Sequence, residues 1–306
     1  MSGSLGSGNG KAMARSRHWG LALRDLRVPL LFLLPACAVI GAVVLYPALR
    51  VLAMSFTDYN MINPPQAVGL SNYLRLWADP LFWSALRNTG LYLVVVVPVL
   101  VVLPALLAIL VNRPLPGLTF FRAALYLPVV TSLVISALVW KWLYAEQGLL
   151  NEFLLHMGLT DDPVRFLTDP ENALFSVMAV TIWSGLGYYM VIYLAGLQAI
   201  PAPLLEVAEL EGVGRRQQIQ YIILPLLRPQ MAVVTVMSSM AAMKVFEEVY
   251  VMTQGGPLDS SKTLVFHLYE SAFVEFEMGY AAAAGVLLFV LTLVLSLLNL
   301  RLLRDR

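Results

Sequence analysis

The fold of this chain is constrained most by its long segments without charge. The first extends from Val28 to Leu49, and about 20 apolar residues suffice for a helix to cross a bilayer. It exceeds the apolar region of a secretory signal peptide, which is about 7–15 residues long. Charged residues make up only 13% of the chain, against about 25% in soluble domains. These observations predict an integral membrane protein.

The apolar segments divide the chain into a tail and a membrane domain. We predict a flexible tail at 1–27 and an all-α domain at 28–306. Prolines inside the spans favour a membrane setting, since neighbouring helices there can satisfy the backbone groups that a proline leaves free. Six transmembrane helices are predicted, at about 28–54, 88–111, 120–142, 172–198, 226–250 and 279–303.

The distribution of basic residues predicts the orientation. If the N-terminus lies inside the cell, the inner segments hold most of the 20 Lys and Arg residues. The outer loops then clearly hold only Arg75, Arg165 and Lys262. Cytoplasmic loops carry such an excess of Lys and Arg. Both termini and the segment 199–225 are therefore expected in the cytosol.

Several classes of function find no support in the composition. Cys37 is the only cysteine, which excludes a disulfide framework or a cysteine metal site. The three histidines are far apart, and His, Asp and Glu do not cluster within the spans. A net charge of +1 gives no preference for nucleic acid. We expect no catalytic residues, no metal site and no enzyme activity.

The longest polar interruption is the segment Pro201–Pro225. Pro at the start, Glu early and Gly late are typical of a short helix over 201–212, with Gly212 at the position after the C-terminus. Leu204, Val207, Ala208 and Glu211 would share one face. Ala208 and Gly212 are small and would let another surface approach closely. The helix either rests on lipid headgroups or contacts a partner protein.

The residues in this segment favour the second alternative. Glu206-Val207-Ala208, then Glu211-Gly212 and Ile223-Leu224-Pro225, resemble the "EAA" loop of bacterial ATP-binding-cassette (ABC) importer permeases. Val207 and Val213 replace the usual Ala, and Glu211 replaces the usual Asp. The resemblance implies a coupling helix that inserts into a groove of an ATPase subunit. It assigns this contact to Glu206, Val207, Ala208, Glu211, Gly212 and Pro225.

A second set of motifs resembles the carbohydrate-type permeases. Thr253-Gln254-Gly255-Gly256-Pro257 and Gly279-Tyr280-Ala281 are similar to the first permease subunit of maltose and glycerol-phosphate importers. The resemblance implies type I importer architecture and alternating access for a sugar-like solute. It also implies a second permease, two ATPase subunits and an extracytoplasmic solute-binding protein as partners, in a bacterial or archaeal cytoplasmic membrane.

Nucleotide hydrolysis is expected on another chain. The nearest candidate for a phosphate-binding loop is the stretch Leu5–Ala12, where Lys11 follows a Gly-rich run. A Walker A loop requires Gly six residues before the Lys and Ser or Thr after it, but Leu5 and Ala12 occupy those positions. We therefore expect this chain to bind no cofactor, and ATP and Mg to bind the partner ATPase.

Two groups of residues are candidates for the solute pathway. Lys244 follows an uncharged run and lies roughly 24 Å from Arg228 along an ideal helix. Charges at such depth usually face a bundle interior or a cavity, so Lys244, Glu247 and Glu248 could line the outer half of the pathway, with Lys244 paired to a Glu. Snorkelling of Lys244 to the headgroups is equally compatible.

The second group lies in the fourth span. Trp183, Tyr188 and Tyr189 offer rings that could stack on a sugar and hydroxyls that could bond its edges. Ordinary helix packing explains the same residues. Two other functions stay open: a secondary transporter or channel that works alone, and an ABC permease for a non-carbohydrate solute.

Overall fold

The computed structural model describes residues 27–112 and 117–304, with side chains from 31 to 112 and from 117 to 301. The part of the chain that it describes is helical, apart from loops and one isolated β-bridge between Thr57 and Ala67. The predicted tail at 1–27 lies outside these ranges, except for Arg27. The stretch Leu5–Ala12 is outside them too.

The described part of the chain divides into two compact units, with the boundary between residues 53 and 54. Helix α1 (Arg27–Ile40) is followed by a π-helical segment, Gly41–Leu45, and by α2 (Tyr46–Met54). Large apolar side chains between Leu31 and Leu52 are exposed. Such a surface is stable where lipid replaces water as the solvent.

Residues 54–306 contain thirteen further α-helices within the described ranges. They are α3 (Ser71–Ala78), α4 (Pro80–Val111), α5 (Leu118–Val130), α6 (Leu133–Leu143), α7 (Leu149–His156), α8 (Ala173–Gln198), α9 (Ala202–Leu210), α10 (Arg215–Gln218), α11 (Leu224–Leu226), α12 (Arg228–Met243), α13 (Glu247–Met252), α14 (Leu264–Phe273) and α15 (Met278–Arg304). A second π-helical segment, Ile219–Ile223, joins α10 to α11.

Both π-helical segments precede a proline. Pro47 follows Gly41–Leu45, and Pro225 follows Ile219–Ile223. A proline lacks the N–H that would bond the carbonyl four residues earlier, and its ring crowds that carbonyl. In both cases this carbonyl lies inside the π segment, at Val43 or Tyr221. The wider helical turn relieves the crowding locally.

Among the described residues, four helical segments are long and apolar enough to cross a membrane: Leu31–Met54, α4, α8 and Met278–Arg301 of α15. Two further candidates are bent pairs. α5 and α6 meet at 101°, and Arg215–Leu226 meets Arg228–Met252 at 64°. Counting each bent pair once gives as many as six spans. The span predicted as continuous at 120–142 is therefore bent between Val130 and Leu133, near Pro128. The other bend lies at the start of the span predicted at 226–250, between Pro225 and Pro229. That span is interrupted again between Met243 and Glu247.

The span predicted at 88–111 begins earlier than expected, at Pro80. Asp79 accepts a hydrogen bond from the Leu81 N–H at 2.8 Å, and Pro80 occupies the first helical position. An Asp cap followed by Pro is a strong helix start. The early start brings Asn88 and Thr89 inside the helix. Asn88 donates to carbonyls of the loop before α14, and Thr89 accepts from the N–H of Leu264, the first residue of α14.

The core of residues 54–306 is formed around α4 and α8. α4 packs against α8 and α12, while α5 packs against α8 and α15 packs against α12 and α14. Tyr92 and Tyr193 are fully buried, and the Tyr193 hydroxyl donates to the Val101 carbonyl at 2.9 Å. This packing holds in place the polar loop after α8 and the break after α12.

Candidate functional site: a polar loop and a broken helix

The helix predicted at 201–212 is α9, and a Schellman motif ends it. The Val213 N–H bonds the Ala208 carbonyl at 2.9 Å, and the Gly212 N–H bonds the Glu209 carbonyl at 3.0 Å. Gly212 has φ +75°, which glycine adopts without penalty. The sequence-predicted position of Gly212 after the helix is confirmed.

Most of the predicted face of α9 is exposed, and Ala208 is the exception. Ala208 is buried by the chain itself, at 7% exposure, so its small size serves packing within this chain. That Ala208 also contacts a partner stays a prediction. Leu204, Val207 and Leu210 are exposed, Leu210 at 88%.

The charged residues of the loop are also exposed. Glu206, Glu209 and Glu211 project from α9 and its end, and Arg215 and Arg216 begin α10. Pro225 is half-buried and follows the π segment. At this position it can help to form the turn that leads into α12. The loop thus presents exposed apolar side chains among acids, with bases nearby.

The aromatic residues predicted for the pathway fall into two pairs. Trp183 meets Trp140 of α6 edge-on, with ring centroids 5.4 Å apart. Tyr188 meets its neighbour Tyr189 edge-on at 5.2 Å. Trp183 and Tyr188 are exposed, whereas Tyr189 is buried. Of the three predicted residues, only Trp183 and Tyr188 therefore reach a surface of this chain.

Lys244 lies at the break between α12 and α13. It follows the last residue of α12, and its exposed side chain borders a cavity of about 300 Å³ with Thr292 and Ser296 of α15. Among the described residues no carboxylate is within 4.0 Å of its ammonium group, so the expected pairing with a glutamate is not found. Helical i, i+3 and i, i+4 spacing does not hold across the break.

The two glutamates after the break have different surroundings. Glu247 is exposed, whereas Glu248 is 3% exposed. The Thr181 hydroxyl of α8 donates to Glu248 Oε1 at 2.7 Å, and the Tyr92 hydroxyl of α4 hydrogen-bonds to Thr181. Glu248 therefore faces the core between three helices. Sequence reasoning missed Tyr92 and Thr181, since only the fold brings them to Glu248.

Residues 82–305 match the family model described as the binding-protein-dependent transport system inner membrane component. The chain belongs to this family. Its resemblance to ABC-importer permeases is thereby confirmed, and the chain is an integral membrane transport component rather than a soluble protein. Homologous chains are named as transport permeases.

The relatives of this permease extend over nearly its whole length. The lactose transport system permease LacF of Rhizobium radiobacter is 35% identical over 90% of this chain and 94% of its own. The arabinooligosaccharides permease AraP of Bacillus subtilis is 34% identical over 90% of this chain and 88% of its own. The resemblance to carbohydrate-type permeases, inferred from Thr253–Pro257, is confirmed.

A solved structure shares the fold of this permease. The crystal structure of a bacterial ABC transporter involved in the import of the acidic polysaccharide alginate contains a chain with a TM-score of 0.79 and 26% identity. The match covers 94% of this chain and 99% of that chain. The all-helical ABC-importer permease fold is thus confirmed.

The Thr253–Pro257 motif of this permease lies in a folded turn. Ser261 Oγ is 2.6 Å from the Gly256 carbonyl and 2.8 Å from Thr253 Oγ1. The buried Lys262 bonds Asp259 at 2.8 Å and Glu270 at 2.5 Å. Asn88 donates to the Lys262 carbonyl at 3.0 Å. These contacts anchor the loop before α14 to the start of α4.

The buried Glu248 of this permease yields a testable prediction. Glu248→Leu removes the acceptor of Thr181 and is expected to lower the free energy of unfolding by about 1–3 kcal/mol, the usual cost of a stranded buried partner. Glu248→Gln retains a carbonyl acceptor and should stay within about 1 kcal/mol of wild type. Thermal unfolding of the purified protein in detergent measures both.

A double variant supplies the control for this prediction. In Glu248→Leu combined with Thr181→Val, both partners are gone, so the combined loss should be smaller than the sum of the single losses. Strictly additive losses would mean that the hydrogen bond between the two side chains does not stabilise the fold.

Proposed function

We propose that this chain is one of two permease subunits of an ABC importer and moves a sugar or sugar-like solute inward by alternating access. The observation that carries the proposal is the form of α9. It ends in a Schellman motif at Gly212 and exposes Leu204, Val207 and Leu210 among acidic residues. An exposed apolar face on a short helix fits insertion into a groove of a partner.

The proposed topology has six spans and both termini in the cytosol. Each bent pair, α5 with α6 and α10–α11 with α12–α13, counts as one span. This arrangement places the loop 199–225 in the cytosol with Arg215 and Arg216, as expected for inner segments rich in basic residues. The host membrane would be the cytoplasmic membrane of a bacterium or archaeon.

The proposed partners follow from the family and from the loop. A second permease would complete the pathway, and two ATPase subunits would bind ATP and Mg and drive the motion through α9. This chain would hold no cofactor. An extracytoplasmic binding protein would deliver the solute. A related crystal structure is that of a bacterial alginate ABC transporter in complex with a periplasmic protein that carries an alginate pentasaccharide.

The proposed solute class rests on the relatives and on the exposed pathway candidates. The relatives are named for lactose, arabinooligosaccharides and sulfoquinovosyl glycerol. Trp183 and Tyr188 would offer ring faces, and Lys244 and Glu247 would offer charged groups beside the break. Tyr189 and Glu248 would act from the core by holding α8 and α13 in position.

Transport by purified components tests the proposal. The chain alone, and the complete complex with its binding protein, are reconstituted in liposomes and given labelled lactose, arabinooligosaccharides or alginate oligosaccharides. We expect uptake of at least one saccharide by the complex with ATP, and no uptake or ATP hydrolysis by the chain alone.

Two results would overturn parts of this proposal. Uptake by the chain alone without ATP would identify a secondary transporter or channel. ATP-driven uptake of amino acids or peptides with no uptake of any saccharide would retain the ABC permease assignment and refute the solute class.

A further inference from the structure

A polar recess of about 390 Å³ lies where α3, the start of α4, the end of α14 and the start of α15 meet. We call it the acidic recess. Its walls include Arg75, Asp79, His267, Ser271, Glu275 and Tyr280, together with Glu277. In the topology proposed above it opens on the extracytoplasmic side. It shares no residue with the cavity beside Lys244.

Negative charge dominates the acidic recess. Asp79, Glu275 and Glu277 oppose a single guanidinium, that of Arg75. Burial has the largest effect on the pKa of His267 and lowers it, although the nearby Asp79 carboxylate acts in the opposite direction. The imidazole is therefore neutral at pH 7. Burial alone would raise the pKa of Asp79, but hydrogen bonds from Tyr280 and the Leu81 N–H outweigh it and lower the pKa.

One of the three carboxylates is left without a partner. Asp79 accepts from the Tyr280 hydroxyl at 2.5 Å and from the Leu81 N–H at 2.8 Å. Glu277 pairs with Arg75 at 2.7 Å. Within the described parts of the chain, the Glu275 carboxylate forms neither a hydrogen bond nor an ion pair. It is the group in the acidic recess that is free to accept a cation.

A buried hydroxyl also lacks a partner in the same wall. Ser271 is 1% exposed, and its Oγ makes no hydrogen bond to any residue that the structure describes. Leaving such a group unsatisfied costs about 1–3 kcal/mol, so a group that enters the recess and bonds it would recover part of this cost. Ser271 is therefore evidence for an occupant that is independent of the charge.

Apolar side chains lie beside the acidic recess. Phe273, Val274 and Phe276 lie in or next to the turn between α14 and α15 and are all exposed, Val274 at 61%. Exposed apolar patches bordered by polar residues mark sites that contact another protein or a membrane. A small free cation would not use these side chains, whereas the surface of another protein would.

We propose that the acidic recess, with its neighbours Phe273, Val274 and Phe276, is a docking site for the extracytoplasmic binding protein, and that a Lys or Arg side chain of that protein enters the recess to pair with Glu275. This inference rests on the proposed function, which supplies the partner and the side of the membrane. The negative charge of the recess favours a basic side chain as its occupant. The exposed apolar residues beside the recess indicate that this side chain belongs to a protein. Ser271 bonds the same side chain.

Stimulation of ATP hydrolysis by the binding protein tests this inference. The complete importer is placed in nanodiscs and titrated with its purified, solute-loaded binding protein. Glu275→Gln should raise the half-maximal concentration about tenfold, which corresponds to 1.4 kcal/mol, with the maximal rate unchanged. Ser271→Ala should raise it several-fold without lowering the melting temperature, because no bond within the fold is lost.

The matched control is Glu171→Gln, which removes an exposed acid from the loop before α8. It should leave the titration unchanged. If both substitutions raised the half-maximal concentration equally, Glu275 would act only through the general negative charge of the outer surface, and the docking site would be refuted. The ammonium of phosphatidylethanolamine is the other source of a cation, so an effect of Glu275→Gln that disappears in nanodiscs without this lipid would also overturn it.

A charge exchange completes the test. Glu275→Lys should abolish stimulation at concentrations that saturate wild type, and one Lys→Glu or Arg→Glu substitution on the binding protein should restore it. Failure of every such substitution to restore it would overturn the inference. If the binding protein stimulates wild type and Glu275→Gln equally, only the docking site is refuted. If it does not stimulate wild type at all, the proposed function fails.

Discussion

Gly187→Ala is expected to destabilise this permease by about 3 kcal/mol or more. Gly187 of α8 faces the backbone of α5, and an added Cβ would lie 2.8 Å from the Tyr126 Cα and closer still to the Leu125 carbonyl oxygen. Backbone atoms cannot rotate away as a side chain can, so the two helices would have to separate. Small residues permit such close approach of membrane helices, and overpacking usually costs about 1–3 kcal/mol even where side chains can yield.

Thermal unfolding of the purified chain in detergent measures this loss, and Gly90→Ala provides the control. Gly90 lies within α4, where no atom lies within 4 Å of an added Cβ. Alanine is the better helix former, so Gly90→Ala should be neutral or stabilising by up to about 1 kcal/mol. A melting temperature for Gly187→Ala within a degree of wild type would show that α5 and α8 do not pack this closely.

The contact at Gly187 illustrates what sequence alone can and cannot predict. The sequence predicts the span at 172–198, within one residue of α8. An apolar segment of this length without proline is compatible with little other than one continuous helix. The same apolar pattern does not show that helix packing requires glycine at Gly187 and tolerates alanine at Gly90. The difference depends on which backbone lies opposite, and local spacing carries no information about it.

The break after α12 shows a second limit. The sequence predicts one group made of Lys244, Glu247 and Glu248, because a continuous helix would place all three on one face. α12 ends at Met243 and α13 begins at Glu247, so the regular helical spacing is interrupted between them. Lys244 then borders a cavity, Glu248 turns into the core, and no pair forms. The early start of α4, in contrast, could have been predicted from Asp79-Pro80, a cap followed by proline.

Gly212→Val is expected to reduce ATP-driven uptake by the reconstituted importer at least tenfold. Valine is strained at φ +75°, since the left-handed region costs L-residues about 1–2 kcal/mol and β-branching adds to this. The strained valine would disrupt the Schellman motif, so the hydrogen bonds from the Gly212 and Val213 N–H groups to the last turn of α9 would be lost. The exposed side chains of Val207 and Leu210 would then no longer be presented in a fixed orientation to the ATPase.

Gly212→Asn separates the two reasons for a glycine at this position. Asparagine tolerates the left-handed conformation, and no atom of this chain lies within 4 Å of an added Cβ, so α9 should end as in wild type. If the ATPase packs directly on Gly212, as its small size predicts, uptake by Gly212→Asn should fall while the melting temperature of the permease stays unchanged. Normal uptake by Gly212→Asn with loss in Gly212→Val would instead limit the role of Gly212 to ending the helix. Normal uptake by both variants would refute the assignment of α9 as the coupling helix.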